Sequence, residues 1–594
     1  MAIGKSKPAG SKREAAGKKS IKVNKESDKR NNKATAGVRK TMHEKTTLPF
    51  PVQKGQEMEL EITGLGSAGE GVGRYKDVAV FVPGALPGET VRVRADFVKK
   101  TFVNAALLEI IKASPDRVEP VCPVYKACGG CQLQHLSYEA ELKEKQKQVE
   151  AALKRIGHLD DIRVMPTIGS DSPLYYRNKM QFPVSDTKGK LQIGCFALNT
   201  HRVIDVADCC IQKQKNNEIA AVVRSWMKQF KIAPYDEDQR TGIVRHIMGR
   251  VGVHTGEIMV CLVTAQDNVP HLKELAKMLK AAIPGVKSVV QNVNKRSTNV
   301  ILGEKTKLVA GNPTIKDKIG PLKFNISAQS FFQVNSEQAE KLYNTALDFA
   351  ELKGSETVVD LYCGTGTMTL FMAQKAKQAL GIEIVPSAIR DAKKNAAANH
   401  IDNADFLLGD AAVEMPKLAA DGLRPDVVIL DPPRAGCEER VLAAIVKVKP
   451  ERVVYVSCNP ATLARDLAYL HEHGFSVDKV QPCDMFSRTH HVETVCLLSN
   501  LSEAKNHISV KVDMDEMDVT AAESKATYEE IQEWVQEKYG FHVSHLNIAK
   551  TKRKCGIIER QNYNLPKSED SRSPETPPEK EKAIKEAFSY FQMI

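Results

Sequence analysis

Apolar residues recur with different periods in successive parts of the 594-residue chain. From about Lys54 to Ile111, short runs rich in β-branched residues alternate with glycine-containing turns, which predicts roughly five short strands. Such a segment is typical of a small β-barrel of the OB type, a common nucleic-acid platform. From Glu337 onward, a helical pattern leads into a regular alternation of buried strands and helices. That alternation predicts a doubly wound, Rossmann-like α/β sheet.

The same patterns divide the chain into five segments, as expected at a length where one hydrophobic core rarely suffices. Residues 162–325 contain further strand patterns and predict an α+β middle domain. After Asn500 the composition shifts to two helical patterns with a basic stretch, followed by the linker-like run "PKSEDSRSPETPPEKEK". The predicted segments are a disordered basic tail (1–46), the barrel (47–113), the middle domain (114–324), the α/β domain (325–500) and an accessory extension of unassigned role (501–594).

The positive charge is concentrated at the amino terminus. The formal net charge is +12, and residues 1–46 hold 14 Lys or Arg against 4 Asp or Glu, a net +10. Basic arms with little apolar content stay disordered and bind polyanions through counterion release. A merely solubilising tail is an equally open interpretation.

Composition argues against two broad classes of protein. The chain has no run of about 18 apolar residues, so a membrane span is not expected. It also has no apolar h-region at the amino terminus, so we expect no secretory signal. Thirteen cysteines in a chain without export signals should then be reduced thiols or metal ligands.

A glycine turn in "VVDLYCGTGTMTL" predicts a nucleotide-type cofactor site. Gly364 and Gly366 lie between a strand that ends in Asp360 and the start of a helix. Glu383 ends the next strand, where an acid can bind both ribose hydroxyls of an adenosine. NAD is the competing ligand, but the third glycine of its usual motif is missing and Asp360 would repel a pyrophosphate. A carboxylate there suits a sulfonium or ammonium group, so S-adenosylmethionine (SAM) is favoured.

Two further strand ends belong to the same predicted sheet edge. Asp410 ends the third strand, where the adenine ring would lie, and Asp431 opens the rigid loop "LDPPRAGC" after the fourth. A proline-fixed strand exit without any function is the alternative for that loop. At this position in a sheet of the SAM-binding kind, we favour a functional role.

Cysteines occur in two settings that predict chemistry. Cys458 follows a buried strand in "VVYVSCNPATLARDL". This stretch alone is consistent with three roles for Cys458: a nucleophile, a metal ligand or a residue packed in the core. Cys122, Cys128 and Cys131 form a C-x5-C-x2-C loop that can wrap one metal centre if a fourth ligand comes from elsewhere. Four thiolates permit either zinc or a 4Fe-4S cluster, and spacing alone does not choose between them.

Four motifs in one order resemble a known enzyme family. "DLYCGTGT", "LDPPRAGC", "YVSCNPATLARDL" and "HHVETV" are similar to those of the bacterial RNA uracil-5-methyltransferases. "CPVYKACGGCQ" and a barrel that resembles a TRAM domain point to the iron–sulfur branch acting on 23S rRNA. The resemblance covers about residues 48–500 and omits the basic tail and the carboxyl-terminal extension.

The resemblance implies a role for individual residues. Cys458 would add to uracil C6 as the nucleophile, and Glu493 in "HHVETV" would remove the C5 proton as the base. His490 and His491 either orient that base or are ordinary polar positions. Thr367 departs from the asparagine that some relatives carry in the glycine turn. The implied SAM contacts are Gln333, Tyr362, Glu383, Asp410 and Asp431, and the implied 4Fe-4S ligands are Cys122, Cys128, Cys131 and Cys209, with Cys210 as the adjacent alternative.

We therefore expect a SAM-dependent enzyme that converts a uridine of 23S rRNA to 5-methyluridine. It should act in a bacterial cytoplasm as a monomer, with RNA but neither DNA nor a membrane as its partner. One alternative with the same chemistry is methylation of the T-loop uridine of tRNA. An alternative of another class is a non-catalytic RNA-binding factor in ribosome assembly that retains the fold.

Overall fold

A computed structural model describes residues 52–297, 300–501, 528–555 and 576–590. The predicted basic tail, residues 1–46, lies outside the described residues. The chain divides into two compact units, residues 1–503 and 504–594. In the described ranges, no helix is both long enough and apolar enough to cross a membrane.

The first domain of unit 1 is the predicted small barrel. Its five strands close in the order β1-β2-β3-β5-β4. Along β1 every second residue is buried, so Met58, Leu60 and Ile62 fill the interior while the glutamates between them face solvent. The strands are β1 (Glu57–Leu65), β2 (Gly71–Tyr75), β3 (Val78–Val82), β4 (Thr90–Val98) and β5 (Phe102–Lys112).

The middle domain is an α+β domain, as predicted. Its seven-stranded sheet has the order β12-β11-β10-β9-β6-β7-β8, and every residue of β10 is buried because both faces of the sheet are covered. The elements are α1 (Tyr138–Arg155), β6 (Lys179–Thr187), β7 (Lys190–Phe196), β8 (Val203–Asp205), α2 (Gln214–Gln229), β9 (Val244–Val251), β10 (Ile258–Thr264), α3 (Leu272–Ala282), β11 (Val286–Val293) and β12 (Lys305–Gly311), followed by the hairpin β13 (Ile315–Ile319) and β14 (Leu322–Ile326).

The third domain has the predicted doubly wound sheet. Its strand order is β17-β16-β15-β18-β19-β21-β20, with β21 antiparallel to both of its neighbours. The elements are α4 (Ser336–Ala350), β15 (Thr357–Leu361), α5 (Thr367–Ala373), β16 (Gln378–Glu383), α6 (Pro386–Ala398), β17 (Ala404–Leu408), α7 (Ala411–Ala420), β18 (Val427–Leu430), α8 (Glu439–Val448), β19 (Arg452–Ser457), α9 (Pro460–Glu472), β20 (Phe475–Cys483) and β21 (Glu493–Asn500).

The strand order reverses at β15, which has β16 on one side and β18 on the other. Connections from β15 and β18 leave the sheet edge in opposite directions, which opens a crevice at the carboxyl ends of these strands. Gly364 and Asp431 follow those two strands, so both lie at this crevice. The fold thus brings the predicted cofactor residues to one edge.

A buried ion network fastens α1 to the third domain. Lys145 Nζ donates to Glu141 Oε1 at 2.8 Å and to Asp484 Oδ1 at 2.5 Å, and all three side chains are at most 1% exposed. Tyr138 donates its hydroxyl to the other Asp484 oxygen at 2.6 Å. Asp484 begins residues 484–492, which connect β20 to β21 and which we call the base loop. The network therefore fixes the start of that loop.

Replacing Lys145 with methionine should destabilise unit 1 by about 3–5 kcal/mol, because two buried carboxylates would lose their cation. Urea unfolding of the purified protein measures this loss. The matched control is Lys143→Met on the exposed side of the same helix, which should change the unfolding free energy by less than about 0.5 kcal/mol. Equal midpoints for the two variants would contradict a stabilising network.

Unit 2 is a small helical module with its own core. Its helices are α10 (Tyr528–Tyr539), α11 (His545–Lys554) and α12 (Pro578–Tyr590). Ile531, Ile548, Ile584 and Phe588 are fully buried between them. The sequence predicted only two helices, and it was wrong to extend the linker through residues 578–582. Proline is tolerated in a first helical turn, and the apolar residues that follow bury one face of α12.

Candidate active site

The glycine turn after β15 needs glycine for two reasons. Gly366 has φ +81 and is the N-cap of α5, and a Cβ there would lie 2.8 Å from the ring of Phe406. Gly364, with φ +54, donates its N–H to Glu383 Oε2 at 3.1 Å. The N–H of Val385 binds Glu383 Oε1 at 2.8 Å. Glu383 thus braces the turn and keeps acceptor sites for ribose hydroxyls, since a carboxylate accepts about four hydrogen bonds.

Asp360 presents a buried carboxylate behind this turn. Its Oδ2 accepts a hydrogen bond from the Thr369 hydroxyl at 2.7 Å, but its Oδ1 is buried without a partner among the described residues. Burial raises the pKa of Asp360 to about 7, and the charges of Asp431 and Glu383 add to the shift. An unpaired buried carboxylate oxygen is stabilised by a cation. The site therefore suits a positively charged ligand such as SAM.

The other predicted cofactor residues have defined partners. Asp410 caps α7 by accepting from Ala412 N at 3.0 Å, and it pairs with Arg440 at 2.8 Å. Tyr362, whose φ is 154°, has its hydroxyl beside the Cys437 thiol, and burial raises the pKa of that hydroxyl. The Gln333 backbone carbonyl accepts a hydrogen bond from the Asn178 side-chain amide at 2.9 Å. Both carboxylate oxygens of Asp410 thus already accept a hydrogen bond. Asp431, by contrast, forms no ion pair with an Arg or Lys in the described structure.

Cys458 and Glu493 face each other across two antiparallel strands. Ser457, the last residue of β19, pairs with Thr494 of β21, so Cys458 and Glu493 are the next opposed positions. Opposed residues of an antiparallel pair project from the same face of a sheet. Burial raises the pKa of Cys458 to about 11, and the charge of Glu493 adds to it. The register thus holds a thiol and a carboxyl group at one sheet edge.

Glu493 is suited to work as a base near neutral pH. Burial raises its pKa to about 8, and the nearby charge of Asp431 contributes. A general base works best when its pKa lies near the operating pH. Burial also raises the pKa of Asp431 to about 6. Three carboxyl groups, Asp360, Asp431 and Glu493, therefore raise the local negative potential, which again favours a cationic ligand.

Arg434 is a site residue that sequence reasoning missed. The positive charge of its guanidinium lowers the pKa of both Cys458 and Glu493. It also lies 3.3 Å and 3.4 Å from the two ring nitrogens of His491. The Asn459 amide donates to the Arg434 carbonyl at 3.0 Å and its oxygen caps α9. The only sequence signal was its place directly after Asp431 and the two prolines.

Asp466 holds the loop of Asp431 and Arg434 from behind. It is fully buried and accepts hydrogen bonds from Cys437 N at 2.8 Å and from the Tyr455 hydroxyl at 2.6 Å. Tyr455 lies on β19 and Asp466 on α9, so one strand–helix unit carries Cys458, Asn459 and this anchor. The strand–helix unit that carries the Cys458 thiol therefore also fixes the loop of Asp431 and Arg434.

Six cysteines line a cavity of about 360 Å³ that is bounded mainly by the middle domain and also by residues of the base loop. The four predicted ligands, Cys122, Cys128, Cys131 and Cys209, all lie there, together with Cys210 and Cys195. Cys195 lies on β7, and its sequence position gave no signal of this grouping. In the described part of the chain, no three His, Cys, Asp or Glu side chains are grouped as a single metal ion requires. The structure nevertheless brings the four predicted ligands to one cavity.

Comparison with known proteins identifies the family. The model of the tRNA (uracil-5-)-methyltransferase family matches residues 137–501, and that of the TRAM domain matches residues 51–108. A protein of Halalkalibacterium halodurans, named as an uncharacterized RNA methyltransferase, is 50% identical over 448 residues, 75% of this chain and 98% of that protein. The chain belongs to the uracil-5-methyltransferase family.

Two further relatives agree with this family. A Clostridium acetobutylicum protein, also named as an uncharacterized RNA methyltransferase, is 48% identical over 76% of this chain and 99% of its own length. The crystal structure of the Pyrococcus abyssi tRNA (uracil-54, C5)-methyltransferase with S-adenosyl-L-homocysteine matches with a TM-score of 0.60. It is 29% identical and covers 74% of this chain and 100% of that chain.

The family confirms several predictions and leaves others open. This uracil-5-methyltransferase is a SAM-dependent RNA enzyme with a TRAM barrel, as the motifs predicted. The 4Fe-4S cluster and the choice of 23S rRNA as substrate stay predictions. The family match ends at residue 501, so unit 2 lies outside it.

Replacing Arg434 with methionine should move the pH–rate profile of methyl transfer to higher pH. Cys458 and Glu493 must both lose protons, and the guanidinium lowers both pKa values, so its removal leaves more of each group protonated at pH 7. Single-turnover rates from pH 6 to 9 should rise with pH in both proteins, with the variant curve displaced upward in pH. Arg424→Met, at the opposite edge of the sheet, serves as the control and should leave the profile unchanged. Superimposed curves for Arg434→Met and wild type would contradict this role.

Proposed function

We propose that this methyltransferase transfers a methyl group to C5 of a uracil in 23S rRNA, with Cys458 as nucleophile and Glu493 as base. The observation that carries the proposal is the facing of these two side chains at a sheet edge rich in carboxylates. Uracil C5 is a poor carbon nucleophile until a thiolate adds at C6. That chemistry requires a cysteine and a carboxylate beside a methyl donor, the combination found at this edge.

The steps assign a proton or a bond to each residue. Cys458 Sγ, as the thiolate, would form a bond to C6, and the C5–C6 double bond would open to give an enolate. SAM, when bound, would supply the methyl carbon that C5 attacks, and S-adenosylhomocysteine would leave as the methyl–sulfur bond breaks. Glu493 then takes the C5 proton, and the bond between C6 and Sγ breaks to restore the C5–C6 double bond and the thiolate. Arg434 lowers the pKa of both acids, so it favours the ionised thiol before attack and the ionised carboxylate before proton removal.

The cofactor contacts of the proposal follow the same edge. Glu383 would hold the ribose, Asp410 would lie at the adenine end, and Gln333, Tyr362 and Asp431 would border the methionine part. The unpaired oxygen of Asp360 supports a cationic group close by. Because Asp410 already accepts from Ala412 and pairs with Arg440, it would contact adenine only through its remaining lone pairs.

We also propose that the six-cysteine cavity holds a 4Fe-4S cluster, with Cys122, Cys128, Cys131 and Cys209 as ligands. The gathering of the four predicted ligands at one cavity supports a shared metal group, and the resemblance of the cysteine motif to the iron–sulfur branch favours a cluster over a zinc ion. Methyl transfer moves no net electrons, so the cluster would serve structure or RNA positioning. A bacterial cytoplasm and a monomeric enzyme remain part of the proposal.

A tRNA uridine is the second candidate substrate, and one observation favours it. The Pyrococcus abyssi enzyme is named as acting on tRNA uracil-54, and it matches 74% of this chain. That match keeps a tRNA uridine as a candidate beside one of 23S rRNA.

Methyl transfer from labelled SAM to separate pools of undermodified 23S rRNA and tRNA tests the proposal. Label in 23S rRNA that maps to 5-methyluridine is the expected result. Label confined to tRNA would replace the substrate by the second candidate, and no label in any uridine would contradict the enzyme mechanism. Iron and sulfide analysis after anaerobic purification tests the cluster, and stoichiometric zinc without iron would overturn it.

A further inference from the structure

Gln132 joins three parts of unit 1 at a single point. It directly follows Cys131, and its Nε2 donates to the Gly129 carbonyl at 2.9 Å, inside the loop of the predicted cluster ligands. Its Oε1 lies 3.2 Å from His490 Nδ1 in the base loop. An amide oxygen only accepts, so His490 must donate from Nδ1. One side chain thus bridges the cysteine loop and the segment that leads to Glu493.

The backbone around Gln132 reinforces this bridge. The N–H groups of Gln132 and Leu133 both donate to the Arg488 carbonyl at 3.0 Å. The barrel reaches the same point through Gly69, where an added Cβ would lie 3.2 Å from the Gln132 Cβ and 3.3 Å from the His490 Cβ. The β1–β2 turn of the barrel therefore packs directly on the bridging pair.

From His490 the contacts continue to the reacting groups. The rings of His490 and His491 have centroids 4.0 Å apart, and His491 lies within 3.4 Å of the Arg434 guanidinium. The Arg434 charge in turn acts on Cys458 and Glu493. Glu493 is only three residues beyond His490, so a displaced His490 ring would move the start of β21. The described contacts therefore lead from the cysteine loop to the histidine pair directly before the base.

We propose that Gln132 is a positioning residue that sets the place of Glu493 through His490, and so couples the cysteine loop to the proton-removal step. This proposal rests on the proposed function of Glu493. Gln132 contacts neither of the predicted reacting side chains in the described structure, so its effect passes through the base loop. When Gln132 is lost, thiol addition and methylation should continue while proton removal slows.

Gln132→Met tests the proposal, because methionine has a similar length and volume but makes neither hydrogen bond. We expect kcat to fall about tenfold without a matching rise in KM for RNA, since a small misplacement of a catalytic group costs about this much or more. A covalent protein–RNA adduct stable to denaturation should accumulate, because elimination needs the base. Metal content should stay at the wild-type level. Gln239→Met, in an exposed turn, is the matched control and should match wild type in every measurement.

Two further measurements separate coupling from a general structural defect. In a double-mutant cycle, the combined variant Gln132→Met, His490→Phe should lose no more activity than the more damaging single variant. The reason is that both substitutions remove the same hydrogen bond, between Gln132 and His490. Hydrogen exchange of peptides covering residues 486–493 should accelerate in Gln132→Met and stay unchanged in Gln239→Met. Additive losses, a raised KM with unchanged kcat, or unchanged exchange would each overturn the proposal. If wild-type protein methylated no RNA, the proposed function would fail, while the exchange result would still decide the coupling.

Discussion

The Cys458→Ala variant should lose methyl transfer by at least about a thousandfold, because the other cysteine opposed to Glu493, Cys483 of β20, is only 1% exposed and packs in the core. Without the thiolate, uracil C5 stays a weak nucleophile, so bringing RNA and methyl donor together is not enough. The measurement is single-turnover transfer of labelled methyl to RNA with excess enzyme. Binding of SAM, followed by calorimetry, should be unchanged, because Cys458 belongs to none of the cofactor contacts.

The control for this variant is Cys555→Ala. Cys555 is partly exposed, as Cys458 is, and it lies in unit 2, outside the family match. This control should keep wild-type transfer. If Cys458→Ala retained more than a tenth of the wild-type rate, nucleophilic catalysis by Cys458 would be ruled out. The ribosome-assembly alternative would be supported instead if Cys458→Ala kept the biological activity and the wild-type protein transferred no methyl groups.

The Glu493→Gln variant should trap a covalent complex between the protein and RNA. Glutamine keeps the shape of the side chain but takes no proton, so addition and methylation proceed and elimination stops. Turnover should fall roughly 10²- to 10⁴-fold, the usual worth of a general base. The complex should survive denaturing electrophoresis and carry the labelled methyl group.

The matched control is Glu439→Gln, an exposed acid at the start of α8. It should turn over normally and show no stable complex. The double variant Cys458→Ala, Glu493→Gln should form no complex either, because the bond joins RNA to that sulfur. A Glu493→Gln protein that is slow but leaves its RNA free would assign the base to another residue.

Much of the fold follows from local sequence patterns. The alternation of buried strands and helices from Glu337 onward predicted the doubly wound sheet, and the five short strands predicted the barrel, since both patterns have a short period. The position of β21 between β19 and β20 could not be predicted in this way. Strand order within a sheet depends on packing between distant segments, and Glu493 faces Cys458 only because of that order.

The candidate site shows the same division between local and distant information. Gly366 and Asp360 follow from the strand–turn–helix pattern, and the roles of Cys458 and Glu493 came from motifs. Arg434 and Cys195 were missed because each gains its importance from neighbours that are remote in sequence. Cys195 is 67 residues from Cys128 in the numbering, yet both line the same cavity. Gln132 likewise depends on the base loop, more than 350 residues later.

Because β21 is paired on both sides, the chain should tolerate insertions within this strand less well than insertions after it. Side chains of a strand alternate between two faces, so one extra residue between Glu493 and Thr494 would turn the carboxyl group away from Cys458. Beyond Asn500 the strand has ended, and added residues leave that pairing unchanged. Insertion scanning should therefore find a sharp boundary at the end of β21. The sequence from residue 502 onward, which the family match does not include, begins just beyond this boundary.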